Sequence, residues 1–120
     1  MESEIEQLRQ RITELEAQNQ GQKERPQLVK EALQEHFEKK PEDVLPQEKQ
    51  ASPQIIAAAT QKITDLKKDE GKHQEAVKEL LEFASQNGII NAAKVVQEVD
   101  DPHLIDDFQA ALSETFFKIH

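Results

Sequence analysis

A chain of 120 residues with 24 acidic and 15 basic side chains, a formal charge of -9 and no Cys, Trp or Tyr has room for one small domain, or a domain with a tail. The lack of cysteine excludes a disulfide scaffold, a zinc–cysteine module and a cysteine nucleophile. The acidic balance argues against a nucleic-acid surface, which needs clustered Lys and Arg. No apolar run approaches the roughly 20 residues that cross a bilayer, and the start MESEIEQLRQ has neither the basic head nor the apolar stretch of a signal peptide, so a cytoplasmic setting is expected.

Residues 1–20 carry a heptad pattern. Ile5, Leu8, Ile12 and Leu15 are spaced 3, 4 and 3 and fall on one helical stripe among Glu, Gln, Arg and Thr. Ser3 and Glu6 have capping-box spacing. The next position of the pattern is Asn19, after which it fades into Gln20-Gly21-Gln22. Two heptads fit either a helix docked on its own domain or a short coiled coil with a second copy or a partner. Ile at a with Leu at d is the parallel-dimer combination.

A second helix is expected over 26–40, opened by Pro26, with Leu28, Val29, Ala32, Leu33, His36 and Phe37 as its stripe and Lys39-Lys40 in its last turn. Pro41 should end it. Residues 41–52, PEDVLPQEKQAS, read as a linker or extended arm.

Ser52-Pro53 is an N-cap and first-turn proline. It opens a helix to about residue 69 on Ile55, Ile56, Ala59, Ile63 and Leu66. Residues 73–87 follow, with Ala76, Val77, Leu80, Leu81 and Ala84 on one face and Gly88 as a left-handed cap. Residues 89–99 are so apolar that they should form the central helix. Asp101-Pro102 starts the last helix, whose stripe of Leu104, Ile105, Phe108, Ala111, Leu112, Thr115, Phe116 and Ile119 is the strongest periodic signal in the chain. No strand pattern is present. The expected fold is all-α: a small bundle of three to four helices over 52–120, preceded by a coiled-coil-like helix over 1–20 and by a second helix and charged linker over 21–51.

Candidate chemistry is sparse. His103 with Asp106 and Asp107 has i+3 and i+4 spacing, part of a divalent-metal site if His73 or Glu75 completed it. The plainer reading is a solvated first helical turn. Asp100, Asp101, Asp106 and Asp107 form a carboxylate cluster, read as caps rather than an acid–base pair. No glycine-rich phosphate loop or nucleophile elbow occurs, so no enzyme and no cofactor or metal are expected. Phe117 lies off the last stripe. It either packs on a neighbouring helix or joins Phe116 as an exposed aromatic contact for a protein partner.

Residues 73–112, HQEAVKELLEFASQNGIINAAKVVQEVDDPHLIDDFQAAL, resemble a helical segment of uncharacterised candidate-phyla bacterial proteins associated with conjugation-type (type IV secretion) ATPases. The residues that carry the likeness are Glu79-Leu80-Leu81, Gly88-Ile89, Asn91-Ala92, Asp101-Pro102-His103-Leu104 and Asp106-Asp107-Phe108. The resemblance implies a helical accessory or docking domain of a secretion-type machine. It carries no ATPase role, because this chain lacks the phosphate loop. The expected function is a non-enzymatic helical interaction or scaffold module, self-associating or partner-binding through Ile5, Leu8, Ile12 and Leu15, with Phe116 and Phe117 as a further contact. The alternatives are a regulatory domain binding a metal or small ligand near His103 and Asp107, and a structural fragment of a larger protein.

Overall fold

The computed structural model describes residues 2–19, 21–45 and 49–117. Every regular element among them is helical: α1 (Glu2–Asn19), α2 (Arg25–Glu38), α3 (Pro41–Val44), α4 (Pro53–Lys67), α5 (His73–Asn87), α6 (Ile89–Val99) and α7 (Pro102–Phe116), with a 3-10 turn at Glu70–Lys72. Local chemistry sets the starts. Ser52 Oγ accepts from Ile55 N–H at the head of α4, and Asp101 Oδ1 accepts from the N–H groups of His103 and Leu104 at the head of α7. Pro26, Pro41, Pro53 and Pro102 all sit in first turns, where a missing N–H costs nothing.

α6 is the hub, as its composition predicts. It packs against α2, α3, α4, α5 and α7, and Ile89, Ile90, Ala92, Ala93, Val95 and Val96 are all fully buried. The molecule measures 43 × 35 × 19 Å, so it is two helices thick. Its radius of gyration, 14.4 Å, slightly exceeds the ~13.6 Å expected of a sphere-like domain this long, in keeping with the flattened outline.

Two sequence expectations need correction. The first concerns the segment division. The core does not stop at residue 52: one cluster joins Leu8 and Ile12 of α1, Val29, Leu33 and Phe37 of α2, and the apolar faces of α4 to α7. The Phe37 and Phe108 rings meet at 5.8 Å, tying α2 directly to α7. The physical reason is area. Four short helices from residue 53 onward leave one face of α6 and α7 uncovered, and α2 covers it. The second concerns the linker. Pro41 opens a helical turn instead of only ending α2, and Val44 and Leu45 are buried against Ile90. Asn91 Nδ2 then donates to the carbonyl of Lys49 at 3.2 Å, which holds the return strand of chain to α6. Pro46 lies outside the described residues, as do Gln20 and Ile119.

Candidate functional site

α1 folds back on α2 as a helical hairpin. Asn19 closes the turn by donating from Nδ2 to the carbonyl of Lys23 (2.7 Å) while its Oδ1 accepts from Lys23 N–H (2.9 Å). Gly21 takes a positive φ of 80° at the bend. On the outer side Arg11 makes a forked pair with Glu35, donating from Nε at 2.8 Å and Nη2 at 3.2 Å. The pairing raises the Arg11 guanidinium's already high pKa and holds the Glu35 carboxyl below its ordinary value. Arg25 with Glu16 at 3.0 Å and Lys23 with Glu31 continue the row of ion pairs.

The inner side of α1 holds the most unusual chemistry in the molecule. Glu4, Leu8 and Ile12 form an i, i+4, i+8 row, and all three are buried. Glu4 is 0 % exposed, and its Oε2 accepts from His36 Nε2 (2.6 Å), itself 2 % exposed, and from the backbone N–H of Ile90 (2.8 Å). With Glu4 as the carboxylate, which only accepts, the donor in this bond is His36 Nε2. Ile90 is the second residue of α6, whose own cap residue is Gly88 and supplies no side chain. The missing cap comes from 86 residues away in sequence. One carboxylate thus lies in the first turn of its own helix and at the amino end of α6, two positions that favour negative charge. Its other oxygen, Oε1, has no hydrogen-bond partner among the described residues.

Gly88 makes room for this arrangement. Its backbone, φ 95° and ψ 152°, lies in a region open essentially to glycine alone. A Cβ there would stand 2.4 Å from Glu4 Oε1 and 3.4 Å from Leu45 Cδ1. The same residue ends α5 by donating its N–H to Ala84 O (2.8 Å) and starts α6 by accepting from Ala92 N–H (3.2 Å). Sequence reading identified Gly88 as a cap and His36 as a member of its stripe, but missed Glu4. The available signal was the four-residue row with Leu8 and Ile12, which a heptad reading passes over.

The residues expected to bind a partner are placed otherwise. Leu8 and Ile12 are core residues, and Ile5 and Leu15 are half-buried against the same cluster. Phe117 is buried and Phe116 half-buried. Beside Arg25, the pair borders a cleft whose other wall is Arg9, Ile12 and Thr13 of α1. The heptad stripe and the terminal aromatics therefore meet inside one molecule, in the same core cluster and around the same cleft. Around Asp107, the structure brings in His73, whose Nε2 pairs with Asp107 Oδ2 across 34 residues of sequence. His103 stays exposed on the neighbouring turn. Among the described residues no group of three or more His, Asp or Glu is placed to hold a metal ion, and Asp101 acts as a cap.

The outer surface differs most from a uniform solvated shell along α4. Only Ile63 of this helix is fully buried. Ile55 is 45 % exposed, and Ala57 and Ala58 are exposed beside it. Two shallow grooves, which share Gln86 of α5, meet this stretch of α4. One, of about 420 Å³, lies among Leu45, Lys49, Gln50, Ile55 and Gln86. The other, of about 270 Å³, lies among Ala59, Lys62, Glu82, Phe83 and Gln86. Lys62 pairs with Glu79 at 3.0 Å, and Glu82 stands exposed on the same rim.

No helix among the described residues is long and apolar enough to cross a membrane. Comparison with family models, curated proteins and solved structures gives no match to this chain.

Proposed function

We propose that this protein is a non-enzymatic helical interaction module that receives a basic amphipathic helix along the first half of α4. The observation that carries the reading is Ile55, the one large apolar side chain of the described residues that is exposed, with Ala57 and Ala58 exposed beside it while Ile56 and Ala59 pack on the core. A groove meets this stretch of α4 at Ile55 and another at Ala59, the two sharing Gln86 of α5, as expected where a partner helix lays its small apolar residues into a shallow strip. Charge selects the partner's chemistry. A net charge of -9 repels a second copy and attracts Lys- and Arg-bearing segments; beside the grooves Lys62 is already paired with Glu79, which leaves Glu82 as the acidic contact, with Lys49 at the other groove. The resemblance of residues 73–112 supports placing the module as an accessory of a conjugation- or secretion-type machine, where docking rather than chemistry is the task.

The test uses an 18-residue Leu/Lys amphipathic peptide as probe, titrated into the 15N-labelled full chain. Amide shifts should concentrate at residues 55–59 and 82–87, and binding should weaken steeply with salt. Ile55→Asp should lower affinity at least about tenfold while leaving the melting temperature within roughly 2 °C. Shifts scattered over the surface, or equal affinity of the Ile55→Asp chain, would overturn the reading.

A further inference from the structure

The group that receives Glu4 is built without any help from α1. Its donors are the buried imidazole of His36 on α2 and the N–H of Ile90 in the first turn of α6. Its floor is Gly88, where the absent Cβ leaves space for an oxygen. Preorganised donors, a helix amino end and a bare glycine together make a receptor for a planar anion. The occupant fits it incompletely: Glu4 Oε1 is buried over the Gly88 backbone with no hydrogen-bond partner among the described residues. A buried, unpartnered oxygen is costly, and it is what a side chain tethered to a helix leaves behind when only one of its oxygens can reach the donors.

We propose that the α2–α6 pocket is a carboxylate-binding site in its own right, for which Glu4 is a tethered ligand. The chemical class of ligand is a carboxylate carried on a docked helix, and α1 supplies it from within the chain. α1 otherwise rests mainly on α2. Occupation of the site is therefore what joins the amino end of α1 to the first turn of α6. Removing the Glu4 side chain should leave a pocket that accepts a free carboxylate of one or two carbons.

The experiment is chemical rescue. The Glu4→Ala chain is melted in rising sodium formate and sodium acetate, each matched in ionic strength by sodium chloride. Formate should raise its melting temperature saturably, by roughly 5 °C beyond chloride. The wild-type chain should show no difference between the salts, and neither should Glu4→Ala combined with His36→Ala. Glu4→Gln, which keeps the pocket filled, should also be indifferent to formate. The Ile90 amide proton gives an atom-level readout: its resonance should move on Glu4→Ala and return toward the wild-type position with formate. If Glu4→Ala is unfolded at low salt, formate but not chloride should restore its helical circular dichroism. Equal effects of formate and chloride, an equal response of the wild type, or failure of formate to restore either signal would overturn the proposal.

Discussion

Gly88→Ala puts the central claim about α6 at risk. The substitution acts twice. At φ 95° and ψ 152° an L side chain is strained by about 1–3 kcal/mol. The new Cβ also meets Glu4 Oε1 at 2.4 Å, where real Cβ contacts stay beyond 3.0 Å. Glu4 cannot simply turn away. Both oxygens rotate together, so retreat of Oε1 moves Oε2 off His36 (2.6 Å) or off Ile90 N–H (2.8 Å). A hydrogen bond to a charged group contributes about 1.5–3 kcal/mol, and losing one brings the total to about 2.5–6 kcal/mol. Against a usual stability of about 5–15 kcal/mol this is severe but measurable. Urea denaturation of four chains separates the parts: wild type, Gly88→Ala, Glu4→Ala and the double variant. In the Glu4→Ala background the clash is gone, and Gly88→Ala should cost only its backbone share of about 1–3 kcal/mol. The cycle should therefore return a coupling of about 2 kcal/mol. A Gly88→Ala cost that is equal in both backgrounds would refute the pinned carboxylate, and a cost under about 1 kcal/mol would refute the backbone argument as well.

Three further outcomes are expected. Asp100 ends α6 in the left-handed region at φ 59° and ψ 47°, where glycine is at ease, so Asp100→Gly should stabilise the chain by about 0.5–1 kcal/mol in thermal melts. Asp101→Ala removes the two bonds that cap α7 and should cost about 1 kcal/mol by denaturation, with faster hydrogen exchange at His103 and Leu104. Glu35 has a folded-state pKa below its unfolded value because Arg11 forks onto it. Its contribution is present above the ordinary carboxylate range near about 4.3 and is lost as pH falls through the lowered value. Glu35→Gln should accordingly flatten the acid limb of the melting temperature against pH between about 2 and 5, and 1 M salt should shrink the difference between the two chains.

From α4 onward the sequence was a good guide because its signals were local. Ser52-Pro53, Asn87-Gly88 and Asp101-Pro102 mark helix ends by chemistry that acts within four residues: α4 and α7 begin, and α5 gives way to α6, where those signals put them. Ends without such chemistry were less legible. α1 extends back to Glu2, so Ser3 falls inside the helix instead of capping it. α7 closes at Phe116, one residue before the buried Phe117. Pro41 reads as a stop in the sequence because proline opens helices as readily as it ends them, and only the burial of Val44 and Leu45 against Ile90 decides between the two.

The amino-terminal third shows a deeper limit. Ile5, Leu8, Ile12 and Leu15 form the same stripe whether it meets a second chain or α2 of its own, since periodicity reports that a face is buried and not by what. The residues that settle the matter are polar. Asn19, the next position of the heptad, spends both ends of its amide on Lys23 and bends the chain back on itself. Glu4 continues the buried row by one turn and reaches His36 and the head of α6. A pattern built on apolar residues leaves both out. Hydrophobic contact alone would let α1 slide along α2 by a turn at modest cost. A buried carboxylate with two specific donors does not allow that, because a shift of one turn, about 5.4 Å, strands the charge away from both. Glu4 therefore sets the register of the hairpin, and α1 packs within its own molecule because that is where the donors to its buried carboxyl lie.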